Sequence, residues 1–184
     1  LTDMRRILRV LGPKWEIVFS DYLRDASGNR ERVGFVFNRE RIKFTGLASV
    51  GEGPRRRAGD GFIPIIPWWR PPFLASFSRG TFEFVLLAIH VRWGGVVRTR
   101  RQELASVAEW IEGRTKETYF GCRSVIVVGD FNLQLGSDRP VAGRLIVPSA
   151  IGDTVKTDLA QSKRYDQILV LPSDADRFTG RAGA

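Results

Sequence analysis

Val125-Ile126-Val127-Val128-Gly129-Asp130-Phe131-Asn132 is a short β-branched run that stops at a glycine and then presents a carboxylate and a carboxamide. Continuous Val and Ile, without polar alternation, is the pattern of a strand buried on both faces. Ligands gather at the carboxyl ends of such strands, where backbone and side chains converge. Alternate residues of a strand share a face, so Asp130 and Asn132 are expected to point the same way. An ordinary strand end turned by Gly, Asp and Asn carries the same letters, and only the other segments separate the two readings.

Upstream of this strand, Leu104, Val107, Ala108 and Ile111 keep helical spacing and predict an amphipathic helix over residues 99–118. Before it, residues 73–77 and 82–90 are apolar runs around Ser78-Arg79-Gly80, which predicts an antiparallel pair with His90 at a strand end. Residues 51–60 are rich in Gly, Pro and Arg, and a mobile basic loop is expected there. Nearer the start, Met4, Ile7, Leu8 and Leu11 predict a helix over residues 2–11 that Gly12-Pro13 ends. Strands are expected at 14–20, 33–38 and 41–47, with a polar turn over 21–32. Downstream, a loop through Pro140 and Pro148 leads to Tyr165-Asp166 and a further apolar run at 167–171. Strands and helices in this order predict an α/β sandwich with a largely antiparallel sheet pair.

The 184 residues suit one domain over 1–184 with a sizeable core. No apolar run reaches the roughly 20 residues that span a bilayer, no signal pattern opens the chain, and no membrane partner is expected. The compartment stays open, with a lean to the cytoplasm. One cysteine, Cys122, forms no internal disulfide, and one histidine without a Cys cluster argues against structural zinc. The net charge of +9 points to a polyanionic partner, nucleic acid first, since neutralising phosphates releases condensed counterions. Arg55-Arg56-Arg57 and the group Arg98, Arg100, Arg101 carry much of that charge, although basic loops also serve solubility alone.

Glu31, Arg70, His90, Asp130, Asn132 and Asp166 all fall at expected turns or strand edges. Attack on phosphorus needs an activated water, neutralisation of oxyanion charge, and protonation or metal binding of the leaving oxygen. His90 is the candidate proton-transfer imidazole, Asp130 can bind water or a divalent cation, Asn132 can donate to phosphate and Arg70 could clamp a phosphate oxygen. Each also has a plain structural reading. A lone histidine, a surface Glu31–arginine pair, or Trp68 and Trp69 packed among prolines would need no chemistry, whereas the same tryptophans exposed would stack on bases.

These segments together resemble the endonuclease/exonuclease/phosphatase superfamily, typified by deoxyribonuclease I and the abasic-site endonucleases. Gly129-Asp130-Phe131-Asn132 is similar to its most specific motif, Ile89-His90 to its catalytic-histidine strand, and Tyr165-Asp166-Gln167-Ile168 to its Tyr-Asp stretch. Asn29-Arg30-Glu31-Arg32 resembles the segment whose glutamate orients the histidine, and Arg70-Pro71-Pro72 the phosphate-contacting arginine segment. The resemblance implies a four-layered α/β sandwich of deoxyribonuclease I type and metal-assisted phosphate ester hydrolysis with Mg2+ or Mn2+, DNA being the expected substrate. By resemblance, Asp130 orients or deprotonates the water and is the metal-binding candidate. Asn132 holds a non-bridging oxygen, His90 serves the leaving group with Glu31 fixing its ring, and Arg70 binds the phosphate. Asp166 corresponds to an aspartate that orients a second histidine.

The chain departs from the pattern in three places. It lacks the asparagine of the family's first strand, the metal-binding glutamate of the next strand and the C-terminal Ser-Asp-His. Ser137-Asp138-Arg139-Pro140 lies in the wrong place and has Arg139 where histidine belongs, so it reads as a loop coincidence. The expectation is therefore a domain incomplete at both ends, with sheet edges and apolar surface left uncovered. A non-catalytic nucleic-acid-binding remnant of the fold, or a phosphatase of lipid or small phosphate esters, are the alternative readings.

Overall fold

A computed structural model describes residues 2–24, 30–65, 68–121, 123–135, 150–152 and 154–181. Helix α1 (Thr2–Leu11) ends at Gly12, whose φ of +92° suits a helix terminus, and the chain enters β1 (Trp15–Phe19). Two-residue strands β2 (Leu23–Arg24) and β3 (Arg30–Glu31) pair within the expected polar turn. Then come β4 (Gly34–Asn38), antiparallel to β1, and β5 (Lys43–Val50). Strands β6 (Arg55–Ala58) and β7 (Gly61–Pro64) form one hairpin, and β8 (Phe73–Arg79) and β9 (Phe82–His90) another. Helices α2 (Val97–Thr115) and α3 (Thr118–Gly121) lead to β10 (Ser124–Asp130). The described chain closes with β11 (Asp166–Val170) and a 3-10 turn at Pro172–Arg177.

The central sheet has the order β11-β10-β9-β8-β5, and only β9 and β10 run parallel within it. Its strands read as continuous apolar runs because both faces are covered. Leu74, Val85, Leu87, Ile89, Val125, Val127 and Leu169 face α2, where Leu104, Val107, Ala108 and Ile111 meet them. The intervening Ala75, Phe77, Phe84, Leu86 and Ile126 face the β1–β4 ribbon through Phe35, Phe37 and Val18. Phe77 anchors this second layer, stacked on Phe84 and edge-on to Phe35, Phe37 and Phe44. Each fully buried Leu or Phe contributes about 1.5–3 kcal/mol by leaving water. Helix α1 adjoins β1 on the ribbon side.

Two expectations change. The basic loop at 51–60 contains β6 and half of a regular hairpin, whose turn through Gly59 takes a φ of +59°. Its arms stay exposed, so the ladder rests on backbone hydrogen bonds that the composition does not announce. Residues 99–118 are not one helix, because α2 stops at Thr115 and α3 makes a separate turn. A groove of about 510 Å3, lined by Phe35, Val36, Phe37, Ile42, Phe77 and Phe84 among others, lies beside the two-stranded ribbon. No helix among the described residues is long and apolar enough to cross a membrane, which says nothing of a β-barrel. Ser137-Asp138-Arg139-Pro140, Cys122 and Asn29 lie outside the described residues.

Candidate active site

The parallel ladder registers Asp130 against His90, and the antiparallel ladder registers it against Asp166. Residues directly opposite one another project to the same side of a sheet, so three strand termini bring three titratable side chains into one row. Gly129 makes the row possible. It has a φ of +138°, and a Cβ there would stand 1.9 Å from the Ile89 carbonyl oxygen. Only glycine fits both the torsion and the close approach.

Beyond β10 the alternation expected of Asp130 and Asn132 breaks. Asn132 has a φ of +50°, and its N–H donates to Asp130 Oδ1 at 2.8 Å. Asp130 is half-buried and faces His90, whereas Asn132 is 1% exposed and donates from Nδ2 to the Val91 carbonyl at 2.8 Å. The strand has ended before Asn132, so the period-two rule no longer applies to it. Arg100 Nη1 donates to the Asn132 carbonyl at 2.5 Å, and Phe131, fully buried, donates its N–H to the Tyr165 carbonyl at 2.8 Å. Asn132 thus ties the Asp130 turn to the residue after His90. The second N–H of this amide remains available to another acceptor.

Glu31 reaches the row from β3. Its Oε1 accepts a hydrogen bond from Arg70 Nη2 at 2.9 Å, and its Oε2 lies 3.3 Å from His90 Nδ1. His90 Nε2 lies 3.9 Å from Asp130 Oδ2 on the other side of the ring. An Nδ1 proton held on Glu31 leaves Nε2 facing Asp130 and the open side of the site. Arg70 is buried, so its guanidinium acts on this cluster more through Glu31 than through an open face. Burial pushes the Asp130 carboxyl above the usual aspartate range, opposed by the Asn132 N–H and the charge of His90, reinforced by Asp166 and opposed again by Arg70.

Sequence reasoning missed Glu103. It is 5% exposed, accepts the Trp69 N–H at 2.8 Å on Oε1, and has the Arg92 N–H at 3.5 Å from Oε2. One carboxylate on α2 therefore ties the loop that carries Arg70 to the loop that follows His90. Burial pushes this carboxyl up, while the Trp69 and Arg92 N–H groups and the charges of Arg70 and Arg92 draw it back. The available signal was spacing, since Glu103 stands four and eight residues before Val107 and Ile111 on the apolar stripe of α2. Of the two tryptophans expected to stack on bases or pack, Trp68 packs. Its Nε1 donates to Ser106 Oγ at 3.1 Å and its ring meets Trp110 edge-on. The Arg92 guanidinium lies 4.4 Å over the Trp69 ring, and the adjacent Trp93 is 75% exposed.

As metal ligands, Asp130 and Asp166 stand side by side, and the described residues contain no group of three or more His, Cys, Asp or Glu able to enclose an ion. Two carboxylates fit a Mg2+ or Mn2+ ion that keeps water and takes substrate phosphate for its remaining positions, which is usual for Mg2+.

No protein-family model and no curated protein matches this chain. Solved structures do. An endonuclease/exonuclease/phosphatase family protein from Bacteroides thetaiotaomicron superposes with a TM-score of 0.58 at 15% identity, over 94% of this chain and 65% of that one. The endonuclease/exonuclease/phosphatase from Bacteroides vulgatus gives 0.59 at 17% identity, over 94% and 70%. The human Nocturnin catalytic domain, solved with a bound sulfate anion, gives 0.61 at 12% identity, over 92% and 64%. At such identities the likeness is one of fold. The chain has the mixed α/β sandwich of the deoxyribonuclease I-like proteins and spans 64–70% of these structures' lengths.

Proposed function

We propose, with the endonuclease/exonuclease/phosphatase fold as premise, that this chain is a phosphodiester hydrolase and, within that class, a metal-dependent nuclease. The supporting observation is the single histidine held at Nδ1 by Glu31 while Nε2 faces Asp130, at the carboxyl ends of two parallel strands. This is the arrangement of a proton-transfer group and its orienting partner. In its doubly protonated form, with Nδ1–H held on Glu31, His90 passes the Nε2 proton to the leaving oxygen or steadies charge on the phosphorane-like transition state. Asp130, when ionised, orients the attacking water and takes its proton. Glu31 holds the Nδ1 side of His90, and Arg70 offsets the charge of Glu31. Asp130 and Asp166 would hold Mg2+ or Mn2+, which when bound supplies Lewis-acid stabilisation of the phosphate oxygens. Nucleic acid is the proposed substrate, since +9 of net charge favours a polyanion.

Nicking of supercoiled plasmid in Mg2+ and in Mn2+ tests this reading, with chelator and His90→Ala as controls. Metal-dependent nicking lost in the variant is expected. Intact plasmid from a folded chain that still binds DNA in a salt-sensitive way would favour a nucleic-acid-binding protein that does not cut, and His90-independent nicking would remove the mechanism.

A further inference from the structure

The β6–β7 hairpin is rooted next to the site and ends far from any core. Ile65 N–H donates to the Pro54 carbonyl at 2.9 Å and closes its stem. Gly53 lies so close to the Trp68 ring that a Cβ there would stand 3.1 Å from it, and Trp68 is itself fixed to α2 through Ser106. Arg70 follows Trp68 by two residues, so the stem is anchored on the loop that delivers the guanidinium bound to Glu31.

From that root the arm runs outward through Arg55, Arg56 and Arg57 on one strand and Phe62 and Ile63 on the other, all exposed. The register sets Arg57 opposite Phe62 and Arg56 opposite Ile63. Arg55, Arg57 and Phe62 therefore share one face, which sets two guanidinium groups beside one aromatic ring. Arg55 pairs with Glu52 at 3.3 Å on the surface, and Arg56 and Arg57 have no acidic partner among the described residues. A four-residue strand reaches about 13 Å. Each strand of duplex carries one charge per roughly 3.4 Å of axis, so a length of that size matches several phosphates.

We propose that this hairpin is an arm that grips a polynucleotide on the Arg70 side of the site, so that the substrate is a chain of several nucleotides and not a mononucleotide-sized ester. The inference rests on the nuclease reading above and names where its substrate extends. Guanidinium forks match phosphodiester oxygens, and an aromatic ring beside them offers a face to an unpaired base. A lipid surface is the weaker match. Phe62 and Ile63 point to opposite faces and each stands opposite an arginine, Arg57 and Arg56, so neither face of the arm is free of guanidinium groups.

The test is fluorescence anisotropy of a labelled 20-mer, single-stranded and duplex, in chelator and across a salt series, with the wild-type chain and the variant Arg55→Ala/Arg56→Ala/Arg57→Ala. The variant is expected to bind at least tenfold more weakly at about 100 mM salt, and its log–log salt slope to fall by about 2, near 0.7–0.9 for each phosphate that no longer meets an arginine. Phe62→Ala is expected to weaken the single strand more than the duplex. Unchanged affinity and slope in the triple variant overturn the proposal, as does a triple variant that no longer binds phosphatidylserine vesicles but holds the oligonucleotide as the wild type does. Because binding is read without turnover, a chain that cuts nothing still tests the arm. Where turnover is present, the triple variant should lose at least fivefold more activity on the 20-mer than on thymidine 5′-p-nitrophenyl phosphate, and equal losses would also overturn it.

Discussion

The strand ends that carry His90, Asp130 and Asp166 and the β6–β7 hairpin are both charged, but the charge is held in opposite ways. At the strand ends, His90, Asp130 and Glu31 are half-buried, lie within 4 Å of another charged group, and are placed by backbone ladders two and three strands deep. Coulombic coupling is strong where water is partly excluded. On the hairpin the arginines stand in solvent, where salt screens them and each acts nearly alone. Charges of the first kind depend on one another and on the fold, whereas charges of the second kind add up through a shared field. Substitutions should separate the two regions by the size and additivity of their effects.

The largest effect is expected at the strand ends. His90→Ala should lower turnover by about 10²–10⁴-fold, the usual contribution of a positioned proton-transfer group, with the circular dichroism spectrum unchanged. Turnover within threefold of wild type would place the chemistry elsewhere. Next in size is Gly129→Ala, which combines a disfavoured torsion with a Cβ 1.9 Å from a carbonyl oxygen. A loss of about 3 kcal/mol or more is expected, and for a chain of this length that is a fall of roughly 10 °C in Tm. A Tm within 2 °C would mean that β10 does not close on β9 as described.

The coupling within the row has a pH signature. Burial raises the Asp130 carboxyl, so in the metal-free chain, with chelator present, its titration followed by NMR should lie above the ordinary aspartate range. Asp166 contributes to that rise, and Asp166→Asn should move this titration to lower pH. A titration that stays in place or moves up would break the proposed row. Glu103 is likewise raised. A carboxyl with a raised native pKa binds its proton more tightly in the folded state. Its contribution is therefore present below the unfolded pKa and is lost as pH rises through the native one. Relative to wild type, Glu103→Gln should accordingly gain stability as pH rises, and a gain on acidification would contradict this environment.

The two regions also differ in how far the sequence foretells them. Val125 to Val128, closed by Gly-Asp, announces a buried strand with its carboxylate outermost, and the lone His90 after residues 82–89 announces its neighbour. Both are local signals, because burial on two faces leaves a continuous apolar run. Asn132 is misread by the same rule, since a left-handed residue after the strand end turns its side chain into the interior. Glu31 is legible as a turn residue, but its place against the histidine ring comes only through the resemblance, because a two-residue strand has no periodicity. Glu103 needed tertiary information, as nothing local says which loops an acid on an apolar stripe will meet. The hairpin was hidden for another reason. Its residues look like a loop because none of them is buried, and its order comes from backbone pairing that composition does not encode.

The smallest effect should come from a single arginine of the arm. Arg56→Ala removes an exposed side chain opposite Ile63, with no acidic partner among the described residues, so stability should stay within about 0.5 kcal/mol. Oligonucleotide binding should weaken only a few-fold, with the salt slope falling by roughly 0.7. If exposed arginines act through a shared field, the decreases in slope for Arg55→Ala, Arg56→Ala and Arg57→Ala should sum to that of the triple variant. One arginine carrying the whole decrease would instead describe a single built phosphate pocket, and the contrast between an interdependent site and an additive arm would then fail at the arm.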